Sequence, residues 1–276
     1  MLILIVICLS SCTTITVYNQ AGEPIYLSNT EGAGAAGHPG TITVLSFNIQ
    51  KSEKIQTAIS EMENFRKMHS LDILLLQEMN EDGVKSIAAA LKMNYLYIPI
   101  AYNHLLKHDV GNAILSRGMI AMKKKLILPH AKWVNKRKRH AAVGEVIIGN
   151  KKILVYSVHT ETSSMKRIRR MDQLYTVVAD ARAESAYYEY IVVGGDFNSL
   201  FSKDANTVVR KFSDAGFQWA TSESGNTARA LFGLVKPRED YIFCKGLQPA
   251  SNGRIGTSKA SDHYPVYAVL QDPEMK

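Results

Sequence analysis

Five short polar groups follow or adjoin apolar, strand-like runs, and their side chains are of the types that hydrolyse phosphate esters. They are Ser46-Phe47-Asn48-Ile49, Leu76-Gln77-Glu78, Tyr156-Ser157-Val158-His159-Thr160, Gly194-Gly195-Asp196-Phe197-Asn198 and Ser261-Asp262-His263-Tyr264-Pro265. Cleaving a phosphodiester requires activated water, stabilised phosphate charge and a neutralised leaving oxygen. Carboxylates, amides and imidazoles are present here for all three tasks.

The clearest of the five groups follows the apolar run Ile191-Val192-Val193. An uninterrupted apolar run is typical of a strand that is buried on both faces. The two glycines let the backbone turn sharply, so that Asp196 and Asn198 emerge together at the strand end. Taken alone, Gly-Asp-x-Asn equally describes a strand followed by an Asx turn. The ordered combination of all five groups is what favours a site.

This ordered set resembles the endonuclease/exonuclease/phosphatase superfamily of metal-dependent phosphodiesterases. That superfamily includes DNase I-like nucleases, exonuclease III-like enzymes, neutral sphingomyelinases and inositol polyphosphate phosphatases. The resemblance covers roughly residues 41 to 271 and includes Gly111-Asn112-Ala113-Ile114-Leu115-Ser116, which is similar to the superfamily's Gly-Asn-x-Ile-Leu-Ser. It implies a four-layered α/β sandwich, in which two mixed β-sheets pack face to face with helices outside and the site lies at one edge.

The resemblance also implies a metal site with hard oxygen ligands. Glu78 matches the superfamily's Gln-Glu and is expected to be the principal ligand, with Asn48 and Asp262 as further ligands. Oxygen ligands favour Mg²⁺, or alternatively Mn²⁺, and no Cys/His cluster has the spacing of a zinc site.

For the chemical step, the resemblance assigns Asp196 as general base and Asn198 as the residue that orients the nucleophile and binds a phosphoryl oxygen. His263 is expected to donate to the phosphate in its charged form. Asp240 matches the aspartate that pairs with this histidine, and a nearby carboxylate raises the pKa of a histidine. The residue before that aspartate is usually apolar; here it is Glu239.

Three further residues are expected around the phosphate. His159 contacts it from the side opposite His263, Asn112 helps to hold it, and Arg139 reaches the site from the strand that precedes Ala142.

The chain has an excess of positive charge, with a net charge of +8 and a pI near 9.2. Basic clusters lie at 123–125, 136–139 and 166–170. If two of them border the site they would follow a polyanion with strong salt dependence, although a basic rim suits anionic lipid headgroups equally well. The expected partner is therefore nucleic acid or another phosphodiester, and no protein partner can be inferred.

Length and patterning indicate one α/β domain, because 276 residues with 46% hydrophobic content suffice for one large core. Apolar runs predict strands at 41–45, 73–76, 95–100, 120–128, 142–148, 153–158, 191–193, 241–243 and 266–270. Helical periodicity predicts helices near 52–68, 81–91, 165–183 and 204–212.

The N-terminal segment, residues 1–12, is predicted to be an export signal. Its apolar run from Leu2 to Leu9 is too short to span a bilayer as a helix and ends in Leu9-Ser10-Ser11-Cys12, which is similar to a bacterial lipobox. Acylated Cys12 would anchor a lipoprotein at the bacterial envelope membrane, facing the periplasm or the exterior. No Lys or Arg precedes the run, and the alternatives are an N-terminal β-strand or a plain cleaved signal on a secreted protein.

Residues 13–40 are predicted to form a tether between this anchor and a catalytic domain over residues 41–276. A small hairpin around Asn19-Gln20-Ala21-Gly22 would begin the tether, and a Gly- and Ala-rich stretch would end it. Of the three cysteines, only Cys244 would remain as a thiol, which predicts a small buried hydrophobe and no disulfide.

The sequence thus predicts a Mg²⁺-dependent phosphodiester hydrolase, and first of all an envelope-associated nuclease. A sphingomyelinase-type phospholipid phosphodiesterase or an inositol polyphosphate phosphatase is the alternative. The sequence lacks an aromatic-rich apolar hairpin for membrane insertion, and it also lacks the tryptophan-rich loops expected of an abasic-site enzyme. A non-catalytic binding module with the same fold is the minor alternative.

Overall fold

The computed structural model describes residues 14–30, 40–230 and 233–273. The strands in these ranges are β1 (Ile15–Val17), β2 (Tyr26–Ser28), β3 (Thr41–Asn48), β4 (Ile73–Met79), β5 (Asn94–Asn103), β6 (His108–Ser116), β7 (Met119–Ile127), β8 (His140–Ile148), β9 (Lys151–His159), β10 (Tyr190–Asp196), β11 (Gln218–Trp219), β12 (Asp240–Lys245), β13 (Gln248–Arg254) and β14 (Val266–Gln271). The helices are α1 (Ile55–Met68), α2 (Glu81–Leu91), α3 (Arg167–Glu184) and α4 (Ser202–Asp214).

The strands form two mixed sheets. The larger has the order β1-β5-β6-β4-β3-β14-β13, with β2 also paired to β5. The smaller has the order β11-β12-β10-β9-β8-β7. Each contains one parallel pair, β3 with β4 and β9 with β10, so the carboxyl ends of these central strands lie together at one edge.

Three apolar clusters separate the layers. Val44, Leu75 and Ile114 of the larger sheet share one cluster with Val155 and Val192 of the smaller sheet. On the outer faces, α1 and α2 cover the larger sheet, whereas α3 and α4 cover the smaller one. This confirms the predicted four-layered α/β sandwich with two mixed sheets face to face and helices outside.

The predicted core elements all occur, with ends displaced by a few residues. The strands β11 and β13 were not predicted, and β6 was anticipated only as the motif match at 111–116. The segment Gln248–Arg254 is polar and partly exposed, so it lacks the apolar alternation by which a strand is recognised; it is held in place by antiparallel pairing with β14 at the sheet edge.

The N-terminal region corrects the predicted tether. Strands β1 and β2 pair with different parts of β5, at Ala101–Asn103 and Tyr95–Tyr97, and not with each other. The expected hairpin is therefore replaced by two additions to the larger sheet, and residues 15–28 belong to the folded domain. Residues 31–39, and the segment 1–13 with Cys12, lie outside the described residues.

Within the described ranges, none of the helices has both the length and the apolar character needed to cross a bilayer. Cys244 is fully buried in β12, and burial raises the pKa of its thiol to about 12. Its thiol is therefore protonated and unreactive at neutral pH, as expected of a small core hydrophobe.

Candidate active site

The predicted site residues meet at the edge where the central strands end. Asn48 ends β3, His159 ends β9 and Asp196 ends β10. In the smaller sheet Asp196 lies opposite both His159 and Asp240. His263 comes from the larger sheet, just before β14, and is bridged to Ala228. Both sheets therefore contribute to one cluster.

Asp196 is buried and held by amide groups. Asn48 Nδ2 donates to its Oδ2 at 2.9 Å, and the backbone N–H of Asn198 donates to its Oδ1 at 2.8 Å. The preceding Gly195 has φ of 142°, and a Cβ there would lie 2.0 Å from the carbonyl oxygen of Val158. Only glycine fits this position, which explains why a glycine directly precedes Asp196 at the end of the buried strand.

Burial raises the pKa of Asp196 to about 6, despite the opposing influence of His263. Histidines lie on both sides, with Nε2 of His159 at 3.5 Å and Nε2 of His263 at 3.8 Å from its Oδ2. A carboxylate that titrates close to neutral pH is suited to accept a proton during a reaction.

His263 and Asp240 form the predicted pair, with 2.8 Å between Nδ1 and Oδ2. Burial alone would lower the pKa of His263, but the carboxylates of Asp240 and Asp196 outweigh it and hold this pKa well above its usual range. The imidazole is therefore charged at neutral pH, and its Nε2 is free to donate to a phosphoryl oxygen.

Thr227 positions this pair and was missed by sequence reasoning. Its buried Oγ1 accepts hydrogen bonds from the backbone N–H groups of Glu239 and Asp240, at 2.9 and 3.0 Å. Its carbonyl accepts from the backbone N–H of Tyr264, at 2.7 Å. One residue thus links the chain segments that carry Asp240 and His263, and no sequence motif identifies it.

Glu239, where an apolar residue was expected, lies buried beside the cluster. Burial, reinforced by the negative charge of Asp196, raises the pKa of Glu239 to about 8. At neutral pH this carboxyl group is therefore largely protonated, and the neutral acid costs far less to bury beside Asp196 than its anion would.

Glu78 projects from an irregularity in β4. The register with β6 shifts between Leu76 and Met79, and Glu78 has φ of 56°, which is rare for a residue with a Cβ. Gln77 is held by a bond from its Nε2 to Ser157 Oγ, while the half-buried Glu78 is turned toward His159, 4.0 Å away. Glu78 accepts no hydrogen bond from the described residues.

The donor chemistry fits a divalent cation. Glu78 accepts no hydrogen bond among the described residues, and the residue before it, Gln77, pairs with Asn48 in the sheet. Carboxylate and amide oxygens are the hard ligand atoms that Mg²⁺ and Mn²⁺ prefer. Asp196, Asp240 and His263 also have possible ligand atoms within 4.8 Å of one another. Their closeness is already accounted for by the hydrogen bond between His263 and Asp240, so Glu78 remains the better candidate ligand.

Asp262 lies apart from this buried cluster. Its carboxylate is exposed and accepts a hydrogen bond from Ser261 Oγ at 3.2 Å. No hydrogen bond joins Asp262 to Asn48 among the described residues, and its assignment as a metal ligand stays a prediction.

His159 and Arg139 form the basic side of the site. Arg139 Nη1 lies 3.1 Å from both ring nitrogens of His159, and its Nη2 lies 3.2 Å from Oε1 of the buried Glu161. Burial, together with the positive charge of Arg139, holds the pKa of His159 well below its usual range. His159 is therefore neutral. Glu161 was not predicted, although it follows His159 by only two residues.

Asn112 lies deeper than a phosphate-binding role requires. Its Nδ2 donates to the carbonyl oxygens of His140 and Ser157, at 2.9 and 3.3 Å, and thereby joins the two sheets. It lines one cavity with Glu78, Arg137, Arg139 and His159. Its direct contact with phosphate stays a prediction.

The three basic clusters have different surroundings. Lys124 pairs with Asp180 and Glu184, and both Arg167 and Arg170 pair with Asp204, so most of these charges join elements of the fold. The cluster at 136–139 supplies Arg137 and Arg139 to the site cavity.

The comparisons agree with this geometry. A family model described as "Endonuclease/Exonuclease/phosphatase family" matches residues 45–263. D. rerio TDP2 complexed with single-strand DNA product has a TM-score of 0.67 at 16% identity, covering 84% of this chain and 99% of its own. An endonuclease/exonuclease/phosphatase from Bacteroides vulgatus has a TM-score of 0.66 at 16% identity, covering 84% and 98%. One from Leptotrichia buccalis has a TM-score of 0.66 at 15% identity, covering 83% and 99%. No curated protein sequence matches the chain.

Proposed function

Because the chain belongs to the endonuclease/exonuclease/phosphatase family, whose members hydrolyse phosphoester bonds, we propose that it is a Mg²⁺-dependent nuclease held at the bacterial envelope. The observation that carries the proposal is the position of Asp196 between two histidines, with the Asp240–His263 pair on one side and neutral His159 on the other.

In this mechanism Asp196 accepts the proton of the attacking water. Its carboxylate is oriented by Asn48 and by the backbone of Asn198, so it needs no rearrangement before reaction. A pKa of about 6 leaves most of it ionised at neutral pH while keeping it basic enough to take a proton.

His263 provides positive charge and a donor at Nε2 for a phosphoryl oxygen. The partner Asp240 holds the ring through Nδ1 and keeps it protonated. At neutral pH the carboxyl group of Asp196 is thus mostly ionised and the imidazole of His263 is charged, so one residue can serve as the base and the other as the electrostatic donor.

Glu78, with Asn48, would hold the metal. The family generally depends on divalent metals, and a bound Mg²⁺ would supply charge stabilisation for the phosphate and its leaving oxygen.

Nucleic acid is the proposed substrate for two reasons. The basic segment 136–139 contributes Arg137 and Arg139 to the cavity that also contains Glu78 and His159. Positive charge that extends along a segment beside the site suits a polyanion longer than one phosphate. In addition, the similar TDP2 structure is described as a complex with a single-strand DNA product.

The location at the envelope rests on sequence alone. We propose that Cys12 is lipidated and anchors the catalytic domain to a membrane, since the apolar run of the N-terminal segment stops at Leu9-Ser10-Ser11-Cys12. In the folded domain, residues 15–28 lie along the larger sheet, so the connection between anchor and sheet would be short.

The test is a substrate panel with purified protein: plasmid DNA, single-stranded DNA, RNA, sphingomyelin, inositol polyphosphates and bis-p-nitrophenyl phosphate, each with Mg²⁺ or a chelator. We expect Mg²⁺-dependent cleavage of nucleic acid that Asp196→Asn abolishes. Preferential hydrolysis of sphingomyelin or of inositol polyphosphates would reject the nuclease assignment, and inactivity on every substrate would favour a binding module.

A further inference from the structure

The loop between β7 and β8 carries an exposed aromatic ring beside the site. Trp133 is 79% exposed and the adjoining Val134 is 65% exposed. Single exposed apolar residues are ordinary on protein surfaces. Trp133 differs because it belongs to the loop whose Arg137 lines the site cavity with Glu78.

Two backbone hydrogen bonds close the loop around Trp133. Lys132 N donates to the carbonyl of Arg137 at 2.8 Å, and Lys136 N donates to the carbonyl of Lys132 at 2.8 Å. Trp133 is therefore one residue from the backbone bridge to Arg137, whose side chain lines the site cavity with Glu78. The loop that carries the exposed ring therefore also supplies the basic side of the site.

The loop is also held from outside by the N-terminal region. Asn19 Nδ2 donates to the carbonyl of Lys136 at 2.7 Å, and its Oδ1 accepts from the backbone N–H of Lys138 at 2.8 Å. Tyr18 N in turn donates to the carbonyl of Ile100 in β5, at 2.8 Å. These bonds order the loop before any ligand arrives, which lowers the entropic cost of binding.

The cations of the loop have no direct carboxylate partner among the described residues, although Glu161 and Glu78 lie close enough to act on the charge of Arg137. In the part of the chain that the structure describes, no carboxylate forms an ion pair with Lys132, Lys136, Arg137 or Lys138, whereas Lys124 has two such partners. The buried Nε of Arg137 also lacks a hydrogen-bond partner there. A guanidinium group with an unused donor is suited to a phosphate oxygen.

We propose that this loop binds single-stranded nucleic acid next to the scissile phosphate, with Trp133 stacked on an unpaired base and Arg137 on a flanking phosphate. The inference rests on the proposed function and narrows its substrate class. Stacking needs an accessible base face, which a single strand provides and a paired duplex does not. Binding to a membrane interface is less favoured, because the loop tip offers only Trp133 and Val134 as apolar groups among several cations.

The binding test uses the intrinsic fluorescence of the protein. The chain has two tryptophans, so Trp219→Phe leaves Trp133 as the only tryptophan reporter. In this variant combined with Asp196→Asn, which prevents cleavage, we expect saturable quenching by single-stranded oligothymidylate and much weaker quenching by a duplex of equal length. A blue shift with anionic phospholipid vesicles, without quenching by the oligonucleotide, would overturn the proposal in favour of a membrane contact.

The kinetic test compares substrates with and without a base. Loss of one stacked base lowers affinity by a factor of about 5 to 150, so Trp133→Ala should raise KM for single-stranded DNA by that factor. Trp133→Phe should retain most of the affinity, and kcat/KM for bis-p-nitrophenyl phosphate should not change.

A matched control is Tyr187→Ala, which removes an aromatic ring that is 85% exposed near the opposite end of β10 from Asp196. It should leave KM for DNA unchanged. If Trp133→Ala behaves like this control, the loop does not bind the strand. If no substrate is hydrolysed at all, the proposed function fails, while the fluorescence titration still decides whether the loop binds nucleic acid.

Discussion

Replacing Asp240 by Asn should move the alkaline limb of the pH–rate profile to lower pH. The substitution keeps the size of the side chain but removes a negative charge 2.8 Å from Nδ1 of His263. In wild type this carboxylate, together with Asp196, outweighs burial and keeps His263 protonated above its usual range. Without Asp240, a smaller negative charge opposes the effect of burial, and the imidazole loses its proton at a lower pH.

The size of the effect follows from Coulomb's law. Two unit charges whose centres are about 4 Å apart interact by about 4 kcal/mol at an effective dielectric constant of 20. Because one pKa unit corresponds to about 1.36 kcal/mol, the pKa of His263 should fall by at most about three units, and the alkaline limb should move by the same amount. Above the shifted pKa, the variant should lose activity by a factor of about 10² to 10³, as for removal of one electrostatic donor.

The assay is kcat/KM for bis-p-nitrophenyl phosphate between pH 5 and 9, at saturating Mg²⁺ and again at a higher concentration. The acid limb is set by Asp196, whose pKa is raised to about 6, because that residue must be ionised to act as a base; the charge of Asp240 contributes to this rise, so the acid limb should also move slightly to lower pH. Asp214→Asn is the control, since it removes the same charge from an exposed carboxylate at the end of α4. An Asp240→Asn profile whose alkaline limb coincides with that of wild type would refute the role assigned to the pair.

Three further outcomes are expected. Asp196→Asn should reduce kcat by a factor of about 10² to 10⁴ at any metal concentration, whereas Glu78→Ala should be partly restored by excess Mg²⁺ or Mn²⁺; equal restoration of both would make Asp196 chiefly a ligand. His140 is buried, and burial lowers its pKa to about 3, so the unfolded state alone gains a proton as pH falls below about 6.5. The free energy of unfolding should therefore drop by about 2 kcal/mol between pH 6.5 and 5 relative to His140→Gln, as measured by urea titration. Finally, the wild type should partition into the detergent phase of a detergent extraction and Cys12→Ala into the aqueous phase, and identical partitioning of the two would contradict lipidation.

The sequence by itself determined the layered fold and most of the site. Long apolar runs such as Thr41–Asn48 and Tyr190–Asp196 can be satisfied only as strands that are covered on both faces, and the intervening periodic segments supply the covering helices. Because strand ends of a parallel pair meet at one edge, polar residues placed at those ends predict a common site without knowledge of any distance. The pairing of Asp240 with His263 was predicted differently, from the resemblance to the superfamily, and the structure shows the two side chains in contact.

What the sequence did not determine depends on contacts between distant segments. Thr227 lies in a loop and belongs to no recognisable sequence motif. It becomes a positioning residue only because the fold brings the backbone of residues 239–240 and 264 within hydrogen-bond distance of it. The bond from Asn19 to the β7–β8 loop joins residues more than one hundred positions apart. Strands β1 and β2 looked like a hairpin because short-range patterns favour neighbours, whereas β5 offered each of them a free edge.

Electrostatic roles were likewise decided by tertiary structure. His159 and His263 are the same residue type at neighbouring strand ends, yet one is neutral beside Arg139 and the other is charged beside Asp240. Sequence patterns identify which groups can titrate. Burial and the sign of the nearest charge set the direction in which each pKa moves, and both arise only when the two sheets close over the site.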